Sequence, residues 1–191
     1  MSRVVVVGAG ALGSHVLQFL RNLEGELAVV DFDRVELKNV LSQFHAKNTV
    51  GQKKVVGLTR SMAFLFGTKI DGTPHRLDEG NAEALLGAAS LVIDCLDNAA
   101  SRRVVQSTCR DRGIPCLHGA LDDAGTFGRV VWSEAFVLDE EPEGGAATCE
   151  DGAFLPFIAL TAAYLAYAAQ AFLTRGAKLS FSVHPGGAFA T

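Results

Sequence analysis

Short apolar runs alternate with helix-length amphipathic segments along the first two thirds of the chain. Arg3–Val7, "RVVVV", is continuous and β-branched, as a strand covered on both faces must be. "ALGSHVLQFLRNL" follows as a helix and "ELAVVDF" as a second strand. After a polar stretch, a helix is predicted from about Gly51, with Gly67 ending it. "KIDGTPHRL" predicts a weak strand broken by Gly72 and Pro74, and "NAEALLGAA" a short helix capped by Asn81. "SLVIDCL" is a buried strand, "NAASRRVVQSTCRDRG" a helix capped by Asn98, and "IPCLHGAL" a further strand. This series predicts an α/β, Rossmann-like, doubly wound and mostly parallel sheet with right-handed crossovers.

Past Gly119 the pattern changes. "GTFGRVVWSEAFVL" predicts one or two antiparallel strands, and "KLSFSV" a last strand before a Gly-rich tail. Between them, residues 138–152 are acidic, Gly-rich and long for a connection in a compact domain, which predicts a flexible crossover loop. Ala153–Leu173 carries no charge and is long enough to span a bilayer, but its Ala-rich composition with Pro156, Thr161, two Tyr and Gln170 fits a helix packed on a sheet or on a partner. No internal repeat or domain boundary interrupts residues 1–191, so a single nucleotide-binding domain is expected.

Composition removes several alternatives. With 49% hydrophobic and 20% charged residues the 191-residue chain is globular, and its net charge of −4 without a basic run argues against nucleic acid as a partner. The four cysteines include no C-x-x-C pair, so no zinc is expected. Without a signal peptide pattern, free thiols and a cytoplasmic setting are expected, with no membrane partner.

The chemistry begins at Gly8, Gly10 and Gly13, a G-x-G-x-x-G between strand and helix. The first glycine permits the tight turn, the second lets a phosphate reach the backbone, and the third allows close helix packing. Asp31 ends the second strand, placed to accept hydrogen bonds from ribose hydroxyls. To this point an NAD-dependent oxidoreductase and an ATP-using enzyme predict the same residues. The stretch "DFDRVELKNVLSQF", Asp31 to Phe44, is too richly furnished for a ribose alone, with Asp33, Glu36, Asn39 and Gln43. Lys54 falls in the first turn of the next helix, and Asp97-Asn98 at the carboxyl end of the fourth strand, the edge where open α/β sheets bind ligands. A lysine and an aspartate converging there fit triphosphate and magnesium chemistry. His15, His45 and His118 read as structural or surface positions, and Arg102-Arg103 as a helix surface pair.

"GAGALG", "DFDRVELKNVLSQ", "GQKK" and "DCLDN", in that order, resemble the ThiF/MoeB/HesA family, the adenylation domain also found in ubiquitin-activating enzymes. The resemblance covers roughly residues 3 to 176. It implies an ATP- and Mg2+-dependent adenylyltransferase that activates the C-terminal Gly-Gly carboxylate of a small ubiquitin-like or sulfur-carrier protein, acting as a homodimer. It implies that Gly10, Asn39 and Lys54 meet the nucleotide phosphates, that Asp31 meets the ribose, and that Asp97 is the magnesium-linked aspartate. It further implies a covalent role for Cys149 in "TCEDGAFLP", where a thiol would attack the acyl-adenylate or carry sulfur. Cys95, Cys109 and Cys116 read instead as small core residues.

Three positions depart from the family pattern. Ser42 stands where the motif has an arginine facing the triphosphate, and a serine supplies neither its charge nor its forked donors. Lys38, Lys53 and Arg102 are the candidate substitutes. The chain opens on its first strand, so the family's N-terminal segment with an arginine for the partner subunit is expected to be missing, and "HPGGAF" (His184–Phe189) stands where the last zinc-binding cysteine pair would be. The departures keep open a nucleotide-binding but catalytically weak subunit that needs a partner chain.

Overall fold

The computed structural model describes residues 1–137 and 152–191. Eight strands form one sheet: β1 (Arg3–Val7), β2 (Glu26–Val30), β3 (Ile70–Thr73), β4 (Leu91–Asp94), β5 (Cys116–Leu121), β6 (Gly128–Trp132), β7 (Phe181–His184) and β8 (Gly187–Ala190). Their spatial order is β3-β2-β1-β4-β5-β6-β7-β8. The first five are parallel, and β6, β7 and β8 continue antiparallel. The chain reverses its direction of travel across the sheet between β1 and β4, and that switch opens a crevice at the carboxyl ends of the strands.

Among the described residues five α-helices cover the sheet: α1 (Ala11–Phe19), α2 (Lys54–Phe66), α3 (Ala82–Leu86), α4 (Ala99–Arg112) and α5 (Leu155–Arg175). The period-2 pleat sorts the apolar run of β1 between two cores. Val4 and Val6 pack with Leu12, Leu17, Leu58 and Met62 from α1 and α2, and with Leu165 from α5. Val5 and Val7 pack with Leu86, Val105 and Cys109 from α3 and α4. A continuous apolar strand is thus required, because both faces are dry. Cys95, Cys109 and Cys116 are buried in these cores, as their sequence positions predict.

Helix α5 is long and apolar enough to cross a membrane by length and composition alone. Here Phe157, Ile158, Thr161, Ala162, Leu165 and Ala169 are buried, and the helix lies against α1 and the β5–β7 part of the sheet. Its small residues let it approach α1 closely.

Several local expectations change. The helix after Gly51 starts at Lys54, because Gly51 and Gln52 turn the chain and Lys53 is extended in a bridge with Arg34; Gly67 then takes φ +68 at its end, where an L side chain would be strained. Asn81 stands at the N-cap position of α3 as expected, but its side chain makes no cap bond: its Oδ1 accepts from Asp78 N and its amide donates to Arg76 O, so it closes the preceding turn instead. The polar stretch contains two 3₁₀ segments, Leu37–Leu41 and Lys47–Thr49. The Gly-rich tail forms a real strand, β8, paired with β7.

Candidate functional site

The glycine turn joins β1 to α1. Gly8 has φ +95, and a Cβ there would lie 2.8 Å from the Cys95 carbonyl oxygen. A Cβ at Gly13 would lie 1.8 Å from the Gly8 carbonyl oxygen, so only glycine lets α1 seat this closely. At Gly10 nothing lies within 4 Å of the same position, which leaves the backbone open to the crevice. Two glycines therefore shape the turn and the third leaves room for a ligand.

The crevice is an open cleft beyond the carboxyl ends of the parallel strands. It gathers Gly10, Asp31, Asp33, Lys54, Asp97 and Asn98 from four separate segments. Asp31 accepts from Ala9 N and Asp33 N, both at 2.7 Å. Burial holds its pKa above the ordinary carboxylate range, outweighing the nearby Lys54 and the two amides. Lys54 is buried at the first residue of α2; its Nζ lies 3.0 Å from Asp33 Oδ2 and its N–H donates to Asp33 O. Asp97 is exposed at the rim, and Asn98 caps α4 as predicted, its Oδ1 accepting from Ser101 N at 2.9 Å.

Asn39 and Gln43 do not line this cleft. Asn39 is buried and its Oδ1 accepts from Glu36 N at 2.8 Å, closing a capping box at the 3₁₀ segment. Gln43 is half-buried, with its Oε1 out of solvent and without a hydrogen-bond partner among the described residues. Phe32, His75, Arg76 and Leu77 line the cleft without having been singled out in the sequence. Phe32 and Arg76 stack on one another at 5.3 Å, a pairing between distant segments that no local pattern encodes.

Arg102 is not on a helix surface. It is buried, donating through Nε to Leu96 O at 2.8 Å and through a terminal nitrogen to Leu96 O and Gly119 O, with Asp94 Oδ2 at 3.9 Å. Asp94, fully buried, accepts from Leu96 N and from His118 Nδ1 at 2.8 Å. Phe136 stacks flat on His118 at 4.1 Å. These groups clamp the peptide of Leu96 from both sides and so fix the loop that carries Asp97. The signal for it was present as the first aspartate of "DCLDN" at a strand end.

Of the other candidate cations, Lys38 pairs with Glu36 at 3.6 Å and Lys53 donates to Phe32 O. Ser42 is buried, and its carbonyl accepts from His15 Nε2 at 3.1 Å. Next to it Phe44 N donates to Ser14 Oγ, and His45 Nε2 donates to Ala9 O at 2.8 Å. Residues 42–45 are thus stitched to α1 and the glycine turn. The thiol of Cys95 is pushed up by burial, and that of Cys116 by its hydrogen bond with Cys109 and then by burial, which makes both poor nucleophiles. Cys149 and almost all of the 138–152 loop lie outside the described residues.

Among the described residues no cluster of three His, Cys, Asp or Glu side chains could hold a metal. A single rim carboxylate such as Asp97 is what a magnesium ion needs when substrate phosphates supply most of its other ligands.

Residues 1–181 match the ThiF family. The chain is 37% identical over 126 residues to the SAMP-activating enzyme E1 of Haloferax volcanii, covering 63% of this chain and 46% of that one. It is 37% identical over 123 residues to the molybdopterin-synthase adenylyltransferase of Salmonella typhimurium, covering 62% and 49%. The chain thus spans about half the length of these relatives. The crystal structure of E. coli MccB superposes on all of it and 62% of that chain with a TM-score of 0.79 at 15% identity, a likeness of fold. With this family match over the sheet, the glycine turn and the cleft, the chain belongs to the ThiF family.

Proposed function

We propose that the chain binds ATP with magnesium in this cleft and adenylates the C-terminal glycine carboxylate of a small ubiquitin-like or sulfur-carrier protein. The observation that carries the reading is the convergence of Lys54 and Asp97 on the cleft that already holds Gly10 and Asp31. A ribose acid alone fits a dinucleotide; a buried lysine opposite a rim carboxylate fits a triphosphate.

In this reading a carboxylate oxygen of the carrier attacks the α-phosphorus in line, the bond to the bridging oxygen of the β-phosphate breaks, and acyl-adenylate and pyrophosphate result. Asp31 keeps acceptor capacity for ribose hydroxyls beyond its two amide bonds. Gly10 and the amides opening α1 receive the phosphates, as a helix N-terminus does. Lys54, held at the cleft by Asp33, turns to a phosphate oxygen. Asp97 would hold the magnesium, which supplies charge neutralisation on the polyphosphate. Asn39 serves the wall, since its Oδ1 is occupied by Glu36 N. The chemistry is then mostly positioning and electrostatics. We assign Cys149 to attack on the acyl-adenylate, releasing AMP and leaving the carrier as a thioester. The enzyme works as a cytoplasmic homodimer in this reading.

The test is pyrophosphate–ATP exchange with small Gly-Gly carriers. Exchange that depends on the carrier's terminal carboxylate supports the proposal; ATP binding without exchange for any carrier sinks it. The buried Ser42, in place of a phosphate-facing arginine, favours one second reading, a nucleotide-binding subunit completed by another chain. Exchange that starts only when a partner chain is added would select it. Tight NAD binding with no ATP binding would replace both.

A further inference from the structure

We infer that His45 is a positioning residue for the nucleotide phosphates, acting through the backbone of the glycine turn; this rests on the ATP reading above. His45 is 6% exposed and bonds the Ala9 carbonyl oxygen at 2.8 Å. A carbonyl only accepts, so Nε2 carries the proton and donates. The Ala9 carbonyl and the Gly10 N–H belong to one peptide plane. In a trans peptide these two groups point in opposite directions, so a bond that fixes one aims the other.

The neighbouring plane is fixed independently. The Ala9 N–H is taken by the Asp31 carboxylate at 2.7 Å. With Ala9 held at both its N–H and its C=O, the turn has little freedom left to rotate. Gly10 lines the cleft and nothing lies within 4 Å of where its Cβ would stand, so the N–H opposite the Ala9 carbonyl is the donor assigned here to the phosphates. Donation to the Ala9 carbonyl also polarises the plane, which strengthens the Gly10 N–H as a donor to an anion.

The protonation state suits this task. His45 is kept neutral by burial, with Lys54 and His15 as the charged or titratable neighbours that further oppose a positive ring. Its Nδ1 is buried without a hydrogen-bond partner among the described residues. A histidine that served only to fill space would not leave one nitrogen unsatisfied while aiming the other at the one carbonyl that steers the phosphate-facing amide.

The experiment compares His45→Gln, His45→Asn and His45→Leu by calorimetry with ATP and magnesium, with adenosine as a ligand that lacks phosphates and thermal unfolding as a control. A glutamine amide reaches as far as Nε2, whereas an asparagine amide stops at the depth of Nδ1. The expected result is ATP affinity within about threefold of wild type for H45Q and about tenfold weaker for H45N and H45L, the loss of one hydrogen bond to an anion. Adenosine affinity should be unmoved in all three. If H45L does not fold, the Gln–Asn contrast decides alone. Equal ATP affinity for H45Q and H45N, or equal losses for ATP and adenosine, overturns the inference. A wild-type chain that binds no ATP overturns the nucleotide reading itself, which is a separate outcome.

Discussion

Acidifying the protein from pH 7 to pH 5 is expected to remove about 2 kcal/mol of folding stability through the His45 ring alone. Its pKa falls from the ordinary 6.5 to about 4 in the folded chain, first because the ring is buried and then because Lys54 and His15 lie near, with the Ala9 bond acting the other way. A depressed histidine pKa means that the unfolded chain takes up the proton first. Stability from the neutral ring is therefore complete above pH 6.5, is lost as pH falls through that value, and stops falling below about pH 4. The full shift corresponds to about 3.4 kcal/mol, of which about 2 kcal/mol is gone by pH 5. Asp31 works in the opposite sense, because a raised carboxylate pKa favours the folded state at acid pH. The comparison must therefore be made against H45Q, in which Asp31 and every other group are retained. Urea unfolding at pH 7, 6 and 5 would measure it. Wild type should lose about 2 kcal/mol more than H45Q across that range. Parallel losses in the two proteins would show that His45 is not kept neutral by the fold, and the electrostatic picture of the glycine turn would fall with it.

Replacing Arg102 by Met should destabilise the chain by about 3–5 kcal/mol in chemical denaturation, since buried Asp94 loses its cation and Leu96 and Gly119 lose their donor. Lys54→Ala and Asp97→Asn should each lower pyrophosphate exchange by about two to three orders of magnitude, and D97N should leave thermal stability nearly unchanged because Asp97 is exposed. Gly10→Ala and Gly13→Ala should separate the two duties of the turn. G13A drives its methyl against Gly8 O and should cost more than about 2 kcal/mol of stability, while G10A, with open space around its methyl, should cost less stability and weaken ATP binding about tenfold or more by calorimetry.

The order of strands and helices was readable because each buried parallel strand is a continuous apolar run and each helix carries its own period. The residues brought to the cleft by Gly10, Asp31, Asp33, Lys54, Asp97 and Asn98 were readable for the same reason: each sits at a strand end or a helix start, where backbone topology alone decides its place. Arg102 was misread because a charged residue on an amphipathic helix is ordinarily solvated, and its burial depends on Asp94, on the Leu96 carbonyl in the loop after β4 and on the Gly119 carbonyl in β5. The bonding of Asn81 was misread because a cap and a turn closure use the same side chain and differ only in which amide lies nearer. The stack of Phe32 on Arg76 and the bond from His45 to Ala9 join segments 36 or more residues apart. No local pattern records such pairs.

Ser42 marks how the polar wall differs from the family motif. At this position Ser42 is buried and its carbonyl is bound by His15. The same four-residue segment sends Phe44 N to Ser14 and His45 to Ala9. Three bonds thus run from the place of the missing cation to α1 and its glycine turn. A segment that delivers charge directly to a phosphate must keep a long side chain free to reach it. A segment that braces the glycine turn must instead be short and bonded, as residues 42–45 are. The wall therefore contributes order to the turn, and the positive charge of the cleft is left to Lys54 and Arg76. Both line the same space as Gly10, whose turn the bond from His45 to Ala9 braces.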